Sequence, residues 1–371
     1  MNNHNLSKLQ ELSETLGIDV VVIQAPDNIE YFTGVPSIGD LSALLIYKRR
    51  DNLVELYVPL LEYYRYRASL PEHVSVYGVS RALKPSDAQV VSLDWKDIVL
   101  KATEGYEKVG ADTSHSGSLQ ATVINVLGSR AVGISDKIWD LRSVKSDAEI
   151  AAIEKAAKVT LKGILAIIPE LREGVSESEL AGVFESTVRK HGVDELAFNP
   201  IVAFKPNNAF PHTLPGSRKL GSNDLVLIDV GVKMERRCSD ITRMIVWGRP
   251  SSEEKRALEA LVEAVNAALD YIKPGIKAGE VYEAAARVLE KYGFKERFIH
   301  GLGHGIGIVV HEPPYLRQGS EKVLVENMVL TIEPGVYIPG SFGVRVEEDV
   351  VVTKSGARVL SKGVELILEV L

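Results

Sequence analysis

Residues 224–247 read DLVLIDVGVKMERRCSDITRMIVW, two apolar runs that flank a polar bend. Residues 327–353 repeat the arrangement in NMVLTIEPGVYIPGSFGVRVEEDVVVT. Each stretch predicts a pair of strands joined by a bend. The segment around Asp229 aligns with the segment around Glu333, at an offset of 104 residues (333 − 229 = 104). The two stretches therefore predict a structural unit built from two similar halves.

Helices are predicted before each strand pair, and they supply a second sign of duplication. Three begin at S-x-x-E capping boxes: Ser146 with Glu149, Ser176 with Glu179, and Ser251 with Glu254. A fourth is predicted near Val281, after KPGIKAGE. The leading boxes are offset by 105 residues (251 − 146 = 105). Because duplicated halves usually pack about a pseudo-two-fold axis, we expect both strand pairs to meet at the centre of one sheet.

The first third of the chain has a different organisation. From about Gly17 to Lys137, short apolar strands such as VVVIQA, SALLIYK and LVELYV alternate with short helical stretches. This alternation predicts a small α/β domain. The segment WDLRSVKSDAE, which leads into the first capping box, indicates a boundary. We therefore predict domains at residues 1–137 and 138–371.

The composition is that of an ordinary globular protein. The 371 residues are 45% hydrophobic, with a net charge of −7 and both signs interspersed, which argues against nucleic-acid binding. No apolar run approaches the roughly 18 residues that a membrane span needs, so we expect no membrane association and a cytoplasmic location. A single cysteine, Cys238, excludes an internal disulfide and a zinc site built from several thiolates.

Acidic residues interrupt the apolar strand runs in both halves. The four are Asp229, Asp240, Glu333 and Glu347. A carboxylate that faces a core is costly unless it is paired or binds a metal. Salt bridges to Arg243 and Arg345 are one explanation, but four acids outnumber two arginines. Two divalent cations would balance the charge, so a metal site is the favoured interpretation.

Histidines and glycines crowd into residues 300–314, HGLGHGIGIVVHEPP. His304 is a candidate nitrogen ligand, and Gly303 and Gly305 would allow close backbone approach and unusual torsions. A dinucleotide-binding loop is excluded because Ile306 stands where G-x-G-x-x-G needs glycine. A zincin is excluded because prolines follow His311-Glu312, and H-E-x-x-H is absent.

These motifs together resemble the metal-dependent peptidases of the creatinase, prolidase and aminopeptidase P family. DNIEYFTGV resembles the N-terminal domain of that family, and LRSVKSDAEIAAIEKAA resembles its inter-domain helix. The resemblance implies an α+β protein whose pita-bread catalytic domain has pseudo-two-fold symmetry and follows a smaller α/β creatinase-type domain. The likeness covers most of the chain.

The resemblance also implies a ligand set for two metal ions. LIDVGVKMERRCSDITR carries Asp229 and Asp240, GHGIG carries His304, TIEPGVY carries Glu333, and GVRVEED carries Glu347. By the family's pattern, Asp229 holds one ion, His304 and Glu333 hold the other, and Asp240 and Glu347 bridge them. We prefer Glu347 to Glu348 because strand alternation puts it on the face of Arg345. Manganese or cobalt is expected, and zinc is an alternative.

Roles in catalysis follow from the same resemblance. Glu333 is expected to move a proton from the attacking water to the leaving nitrogen, while His311 and His212 donate hydrogen bonds as the oxyanion develops. His300 matches a substrate-binding position of aminopeptidase P. Arg345 is a further candidate near the substrate, expected to pair with Asp240 or Glu347.

The expected activity is hydrolysis of the Xaa-Pro bond in dipeptides, by a homodimer that takes proline-containing di- or short peptides. Arg317, in the loop after HEPPY, is our candidate anchor for the free C-terminal carboxylate. An Xaa-Pro aminopeptidase that acts on longer peptides is the main alternative. A creatinase-type C–N hydrolase without metal and an inactive binding module are also considered, but such relatives typically lose ligands that this chain keeps.

Overall fold

The chain forms two compact units, Met1–Arg142 and Ser143–Leu371, in a computed structural model that describes residues 5–37 and 42–370. The boundary predicted between Lys137 and Ile138 falls inside a helix, Ser135–Ser143. Ile138 is fully buried, and the first unit extends five residues beyond the predicted domain (142 − 137 = 5).

The first unit is a mixed α/β domain built on one sheet, with the strand order β5-β4-β3-β2-β1-β6-β7. Its strands are β1 Val20–Ile23, β2 Leu44–Lys48, β3 Leu53–Pro59, β4 Val74–Val79, β5 Val90–Val91, β6 Val109–Ala111 and β7 Ala131–Gly133. Its helices are α1 Ser7–Leu16, α2 Pro26–Thr33, α3 Leu60–Ser69, α4 Trp95–Ala102, α5 Ser118–Leu127 and α6 Ser135–Ser143. Every residue of β1 is buried, as expected for an apolar strand near the middle of a sheet.

The second unit contains two helix pairs. They are α7 Asp147–Ile167 with α8 Glu177–Lys190, and α9 Ser252–Tyr271 with α10 Ala278–Lys291. The predicted capping boxes begin α7, α8 and α9, with both reciprocal bonds formed. At α10, Glu280 accepts the backbone N–H of Lys277, but a lysine side chain has no acceptor to return. The four predicted helices are therefore present, and the fourth has only half of a capping box.

Strands follow each helix pair. After α8 come β8 Glu195–Leu196, β9 Ile201–Ala203, β10 Asp224–Val230, β11 Val232–Met234, β12 Arg237–Cys238 and β13 Ile241–Trp247. After α10 come β14 Gly303–Gly305, β15 Glu312–Leu316, β16 Val329–Ile332, β17 Gly335–Ile338, β18 Phe342–Arg345, β19 Glu348–Thr353, β20 Gly356–Val359 and β21 Ile367–Val370. Short 3₁₀ turns occur at residues 128–130, 168–170, 207–209 and 295–297.

The expectation that both strand pairs share one sheet is wrong. The order β21-β13-β10-β9 forms one sheet, and β15-β14-β16-β19-β20 forms another. The two sheets meet where the backbone N–H of Glu347 donates to the carbonyl of Thr242 at 3.0 Å. This contact joins the sheets without ladder pairing between β13 and β19, so the acids of both halves still converge.

Each long strand predicted around an acid is broken into two short ones. Pro334, which has no backbone N–H to donate, separates β16 from β17. Gly231 separates β10 from β11, where a Cβ would lie 2.1 Å from the carbonyl oxygen of Ser239. The breaks turn the chain at the acids, so that these carboxylates lie at strand ends instead of strand centres.

Helices cover the β10–β13 hairpin on both faces. Leu225, Leu227 and Met244 belong to a core with α9 and α10, whereas Val226 and Ile228 belong to a core with α7 and α8. Both faces of β10 are therefore apolar, and Asp229 stands out as an acid among them. Within the described residues, no helix is both long and apolar enough to cross a membrane.

Candidate metal centre

The first two carboxylates come from the β10–β13 hairpin. Asp229 is the second-last residue of β10 and pairs in register with Thr242 of β13. Asp240 lies at the break between β12 and β13, where its backbone N–H donates to Asp349 Oδ2 at 3.2 Å. Both aspartates are buried, with exposures of 7% and 5%. Burial at this level makes two uncompensated charges costly.

The other two carboxylates occupy the corresponding breaks in the second half. Glu333 follows β16, and its backbone N–H donates to the carbonyl of Leu302 at 2.7 Å. Glu347 precedes β19 and is 1% exposed. Its Oε2 accepts a hydrogen bond from Thr242 Oγ1 at 2.8 Å. Thr242 thus binds Glu347 through both its carbonyl and its hydroxyl, and positions it beside the first pair of acids.

His304 lies in β14 and faces these acids. Its Nε2 is 3.6 Å from Asp240 Oδ2 and 3.5 Å from Glu333 Oε1. Its Nδ1 is 3.0 Å from the carbonyl oxygen of Gly305, which can only accept, so Nδ1 carries the proton. Nε2 therefore presents a lone pair to two carboxylates, an arrangement that a cation between them would stabilise.

The glycines beside His304 are required by close packing. A Cβ at Gly303 would lie 2.0 Å from the carbonyl oxygen of Thr331, and one at Gly305 would lie 2.4 Å from that of Pro313. Neither glycine has a φ in the left-handed region, so the predicted unusual torsions are absent. Close backbone approach, the other predicted reason, is what places the imidazole between neighbouring strands.

The ligand atoms form overlapping groups of metal-binding size. Those of Asp229, Asp240 and Glu347 lie within 4.8 Å of one another, as do those of His304, Glu333 and Glu347. Asp229 Oδ1 and Glu347 Oε1 are buried and have no hydrogen-bond partner among the described residues. Hard oxygen donors with one imidazole suit divalent manganese, cobalt or zinc. The residues therefore fit a pair of divalent ions that share Glu347.

Burial and mutual repulsion shift the pKa values of these groups. Burial, with Asp229 adding to it and Arg345 opposing it, raises the pKa of Glu333 to about 8. Burial and the neighbouring acids raise the pKa of Asp240 and that of Glu347 well above their ordinary values. Burial lowers the pKa of His304 to about 3, so its imidazole is neutral. Bound cations would offset the repulsion between the carboxylates, lower their pKa values and keep them ionised.

Arg345 pairs with a different acid from those expected. Its guanidinium contacts Asp229 Oδ2, not Asp240 or Glu347, and its Nη1 donates to the hydroxyl of Tyr337 at 2.6 Å. The reason is position, because Arg345 ends β18 and the chain turns before Glu347. The Tyr337 hydroxyl is also 3.0 Å from His300 Nε2, so Arg345, Tyr337 and His300 form one chain of contacts.

Glu348 lies in separate surroundings from Glu347. Its Oε2 is 3.0 Å from Arg243 Nη2 and also contacts the hydroxyl of Ser361. Arg243 is fully buried and donates from Nη1 to the backbone carbonyl of Glu347 at 2.5 Å. Arg243 therefore neutralises Glu348, and the arginine that pairs with one of the four predicted carboxylate ligands is Arg345, which contacts Asp229.

A cavity of about 1010 Å³ opens over the acids. All the residues predicted for the site line it: Asp229, Asp240, His304, Glu333, Glu347, His212, His300, His311, Arg317 and Arg345. The ring centroids of His304 and His311 are 4.3 Å apart. His212, His311 and Arg317 are exposed, and the Arg317 guanidinium lies 5.8 Å from the ring centroid of Tyr315. The exposed histidines and Arg317 are therefore accessible to a substrate.

Several lining and supporting residues were not predicted. Tyr337 and Thr242 hold Arg345 and Glu347, and the apolar side chains of Phe210, Leu214 and Ile299 line the cavity. Thr242 follows Asp240 by two residues, so strand alternation could have identified it as a neighbour on the same face. The apolar residues lie in loops, for which the sequence has no periodic signal.

Comparison with known proteins gives the family. Residues 151–354 match Metallopeptidase family M24, and residues 5–144 match the Creatinase/Prolidase N-terminal domain.

The chain belongs to metallopeptidase family M24.

It is therefore a hydrolase of the peptidase class, and both the family resemblance and the two-domain α+β fold inferred from the sequence are confirmed.

Relatives resemble the chain over nearly its whole length. An Xaa-Pro dipeptidase of Pyrococcus horikoshii is 35% identical, over 97% of each chain. The crystal structure of the prolidase from P. horikoshii OT3 has a TM-score of 0.86 and 33% identity, covering 98% of this chain and 99% of that one. The X-Pro aminopeptidase from Thermotoga maritima MSB8 has a TM-score of 0.85 and 29% identity, covering 98% and 99%.

Proposed function

We propose that this M24 peptidase is a dinuclear, metal-dependent Xaa-Pro dipeptidase. The observation that carries the proposal is the convergence of four carboxylates, three of them buried and that of Glu333 partly buried, with the lone pair of His304 Nε2. The likeness to proteins described as Xaa-Pro dipeptidase and prolidase supports the substrate class. Manganese or cobalt is the proposed metal, because these ions accept carboxylate oxygens together with imidazole nitrogen.

Two divalent ions bound here would acidify a water molecule and polarise the scissile carbonyl. Glu333 is our candidate to handle the proton of that water, because it lines the cavity and its Oε1 lies 3.5 Å from His304 Nε2, among the predicted ligands. We assign it the transfer of that proton to the leaving nitrogen.

The two exposed histidines, His311 and His212, also line the cavity, and we assign them as hydrogen-bond donors to the developing oxyanion. His300 is held by Tyr337 and is assigned to substrate binding. Arg345, through its contacts with Asp229 and Tyr337, positions both the acid and the tyrosine.

The length of the substrate distinguishes the proposed dipeptidase from the alternative, an aminopeptidase that acts on longer peptides. A dipeptidase needs a cation for the free C-terminal carboxylate of proline, and exposed Arg317 on the cavity lining is our candidate. The likeness to an X-Pro aminopeptidase at a TM-score of 0.85 favours the alternative of longer peptides. An aminopeptidase would instead have an open groove beyond the proline, in which a longer peptide continues without a cation to bind a carboxylate there.

The activity is tested by comparing kcat/KM for Met-Pro, its C-terminal amide and Met-Pro-Xaa tripeptides in the manganese-loaded protein. We expect the free dipeptide to be the best substrate, and chelation to abolish its hydrolysis. Equal cleavage of all three would replace the dipeptidase with the aminopeptidase. Unchanged turnover after verified metal removal would refute the metal-dependent mechanism.

The carboxylate anchor is tested separately with Arg317→Ala. We expect this variant to lose the preference for Met-Pro over its amide, because the guanidinium no longer pairs with the carboxylate. Arg287→Ala, which removes an exposed arginine of α10 outside the cavity lining, is the matched control. If both variants keep the preference, Arg317 is not the anchor and the dipeptidase activity stands.

We also propose a homodimer located in the cytoplasm, acting on proline-containing di- or short peptides. The composition, with a single cysteine and so no internal disulfide, supports the location. Light scattering on the purified chain measures the assembly, and a monomeric mass would refute the dimer.

A further inference from the structure

A turn built around one buried carboxylate leads to His311. The turn occupies residues 306–311, between β14 and β15, and Glu312 follows it as the first residue of β15. Glu312 is 1% exposed, and its Oε1 accepts the backbone N–H of Val309 at 3.1 Å. A Cβ at Gly307 would lie 2.7 Å from Glu312 Oε2. The glycine therefore leaves the space that this carboxylate fills.

A lysine from the start of the second unit faces the same carboxylate. Lys145 Nζ is 3.7 Å from Glu312 Oε2, and the two side chains are 2% and 1% exposed. The backbone N–H of Lys145 donates to the carbonyl of Asn327 at 2.9 Å. Lys145 is thus fixed at its backbone as well as at its charge, and it brings a buried cation to the turn.

The stability of the fold does not by itself explain why the Lys145–Glu312 ion pair is buried. Taking both charges out of water costs free energy that their attraction only partly returns, and apolar side chains of equal volume usually serve as well or better. A charged carboxylate does what an apolar side chain cannot, because it accepts the Val309 N–H inside the turn. The pair therefore determines the conformation of the turn.

The turn has consequences for both histidines of the site. It ends at His311, whose ring centroid is 4.3 Å from that of His304. The residue before the turn, Gly305, accepts from His304 Nδ1 at 3.0 Å. A displaced turn would move His311 relative to His304, and a misplacement of about 1 Å can cost on the order of 100-fold in rate.

We infer that the Lys145–Glu312 pair is a positioning device that holds His311 against the metal centre, and that it acts on kcat through His311. Glu312 and Lys145 are positioning residues and have no part in the bond-breaking steps. This inference rests on the proposed function, in which His311 stabilises the developing oxyanion.

The test is a double-mutant cycle on Met-Pro hydrolysis with Glu312→Gln, His311→Ala and the combined variant. Glutamine keeps an acceptor for Val309 and removes the charge. We expect Glu312→Gln to lower kcat about 10- to 100-fold with KM within about twofold, and metal content to stay unchanged. In the His311→Ala background the same substitution should cause no further loss. A full additional loss, or a pure KM effect, would overturn the inference.

Two further variants separate positioning from folding. Lys145→Met removes the cation beside the buried carboxylate, whereas Lys145→Met combined with Glu312→Gln removes both charges of the pair, so the double variant should fold even if the single one does not. The double variant should show the same low kcat as Glu312→Gln. Glu55→Gln, at the Lys48–Glu55 pair of the first unit with a separation of 2.9 Å, is the matched control and should keep wild-type kcat.

Amide exchange gives a readout that does not depend on activity. We expect Glu312→Gln to speed exchange in residues 306–311 and to leave other peptides unchanged. If wild-type protein hydrolyses no Xaa-Pro dipeptide, the proposed function fails, and exchange still decides on the pair. Unchanged exchange in the turn would overturn the inference whether or not the enzyme is active.

Discussion

Glu347 and Glu348 are adjacent carboxylates with different surroundings, and exchanging each for glutamine tests their roles. Glu347→Gln should lose at least one bound metal ion and lower kcat/KM roughly 100-fold or more, because a shared ligand loses its charge. Glu348→Gln should keep its metal, since its partner is Arg243, and should lower the free energy of unfolding by about 1 to 3 kcal/mol. Elemental analysis measures the metal content of each variant, and chemical denaturation measures its free energy of unfolding. Metal loss in Glu348→Gln alone would reverse the two assignments.

The residue types at the site were predictable, and their partners were not. Strand alternation selected Glu347 over Glu348, and the structure places Glu347 in the acid cluster and Glu348 against Arg243. The expected partners of Arg345, Asp240 or Glu347, were wrong, because a break in the strand intervenes between Arg345 and Glu347. Alternation relates neighbours on one strand, whereas ion pairs such as Arg345–Asp229 join strands far apart in the sequence.

The raised pKa of Glu333 predicts that metal stabilises the protein more at pH 8 than at pH 5.5. With a pKa of about 8 in the metal-free fold against an ordinary 4.5, the folded state binds the proton more tightly than the unfolded state. The metal-free protein therefore loses stability as pH rises from about 4.5 to 8. Metal must displace that proton, so it binds more weakly at low pH. His304, with a pKa of about 3, stays neutral at both values.

Thermal unfolding with and without manganese measures the effect. The increase in Tm on adding the ion should be larger at pH 8, and Glu333→Gln should reduce the difference between the two pH values, to which Asp240 and Glu347 also contribute. Equal increases in the wild-type protein at both pH values would contradict the assignment of Glu333 as a ligand with a raised pKa.

The β14 strand depends on a glycine, and two glycine-to-alanine variants test this. Gly303→Ala should lower the free energy of unfolding by about 1 to 3 kcal/mol, because its Cβ would lie 2.0 Å from a carbonyl oxygen of β16. It should also weaken metal binding, since His304 follows directly. Gly182→Ala, in the exposed face of α8 with no atom near its Cβ, should raise stability by about 0.5 to 1 kcal/mol. Denaturation curves compare the two, and a harmless Gly303→Ala would show that β14 and β16 can separate.

Elements with a local signal were predictable, and those that depend on distant packing were not. Capping boxes and apolar periodicity identified α7, α8 and α9, because a helix forms its hydrogen bonds within one segment. The runs 224–247 and 327–353 were predicted as simple strand pairs, yet Gly231 and Pro334 break them. The two sheets meet at the contact between Glu347 and Thr242, which are far apart in the sequence, so no local pattern encodes that contact.

At the scale of the whole molecule, the predicted ligands all belong to the second compact unit. Manganese at about 100 times its Kd should stabilise that unit by about 3 kcal/mol. Amide exchange measured peptide by peptide should then slow in β10, β13, β16 and β19, and exchange in β1 to β7 should be unaffected. Asp240→Asn with manganese is the control and should show no slowing. Uniform slowing along the chain would contradict a site confined to the second unit.

The shared acid cluster constrains how the two halves of the second unit can diverge. Each half contributes two carboxylates, so neither half carries a full set by itself. The helix caps do not contribute to the site, and corresponding caps differ between the halves: the N-cap of α8 is Ser176, and that of α10 is Lys277. Over evolutionary time, substitutions can accumulate independently in the outer helices of each half. At the four acids, a substitution in one half would impair the site that the acids of the other half also form. The two halves are therefore constrained together at these positions.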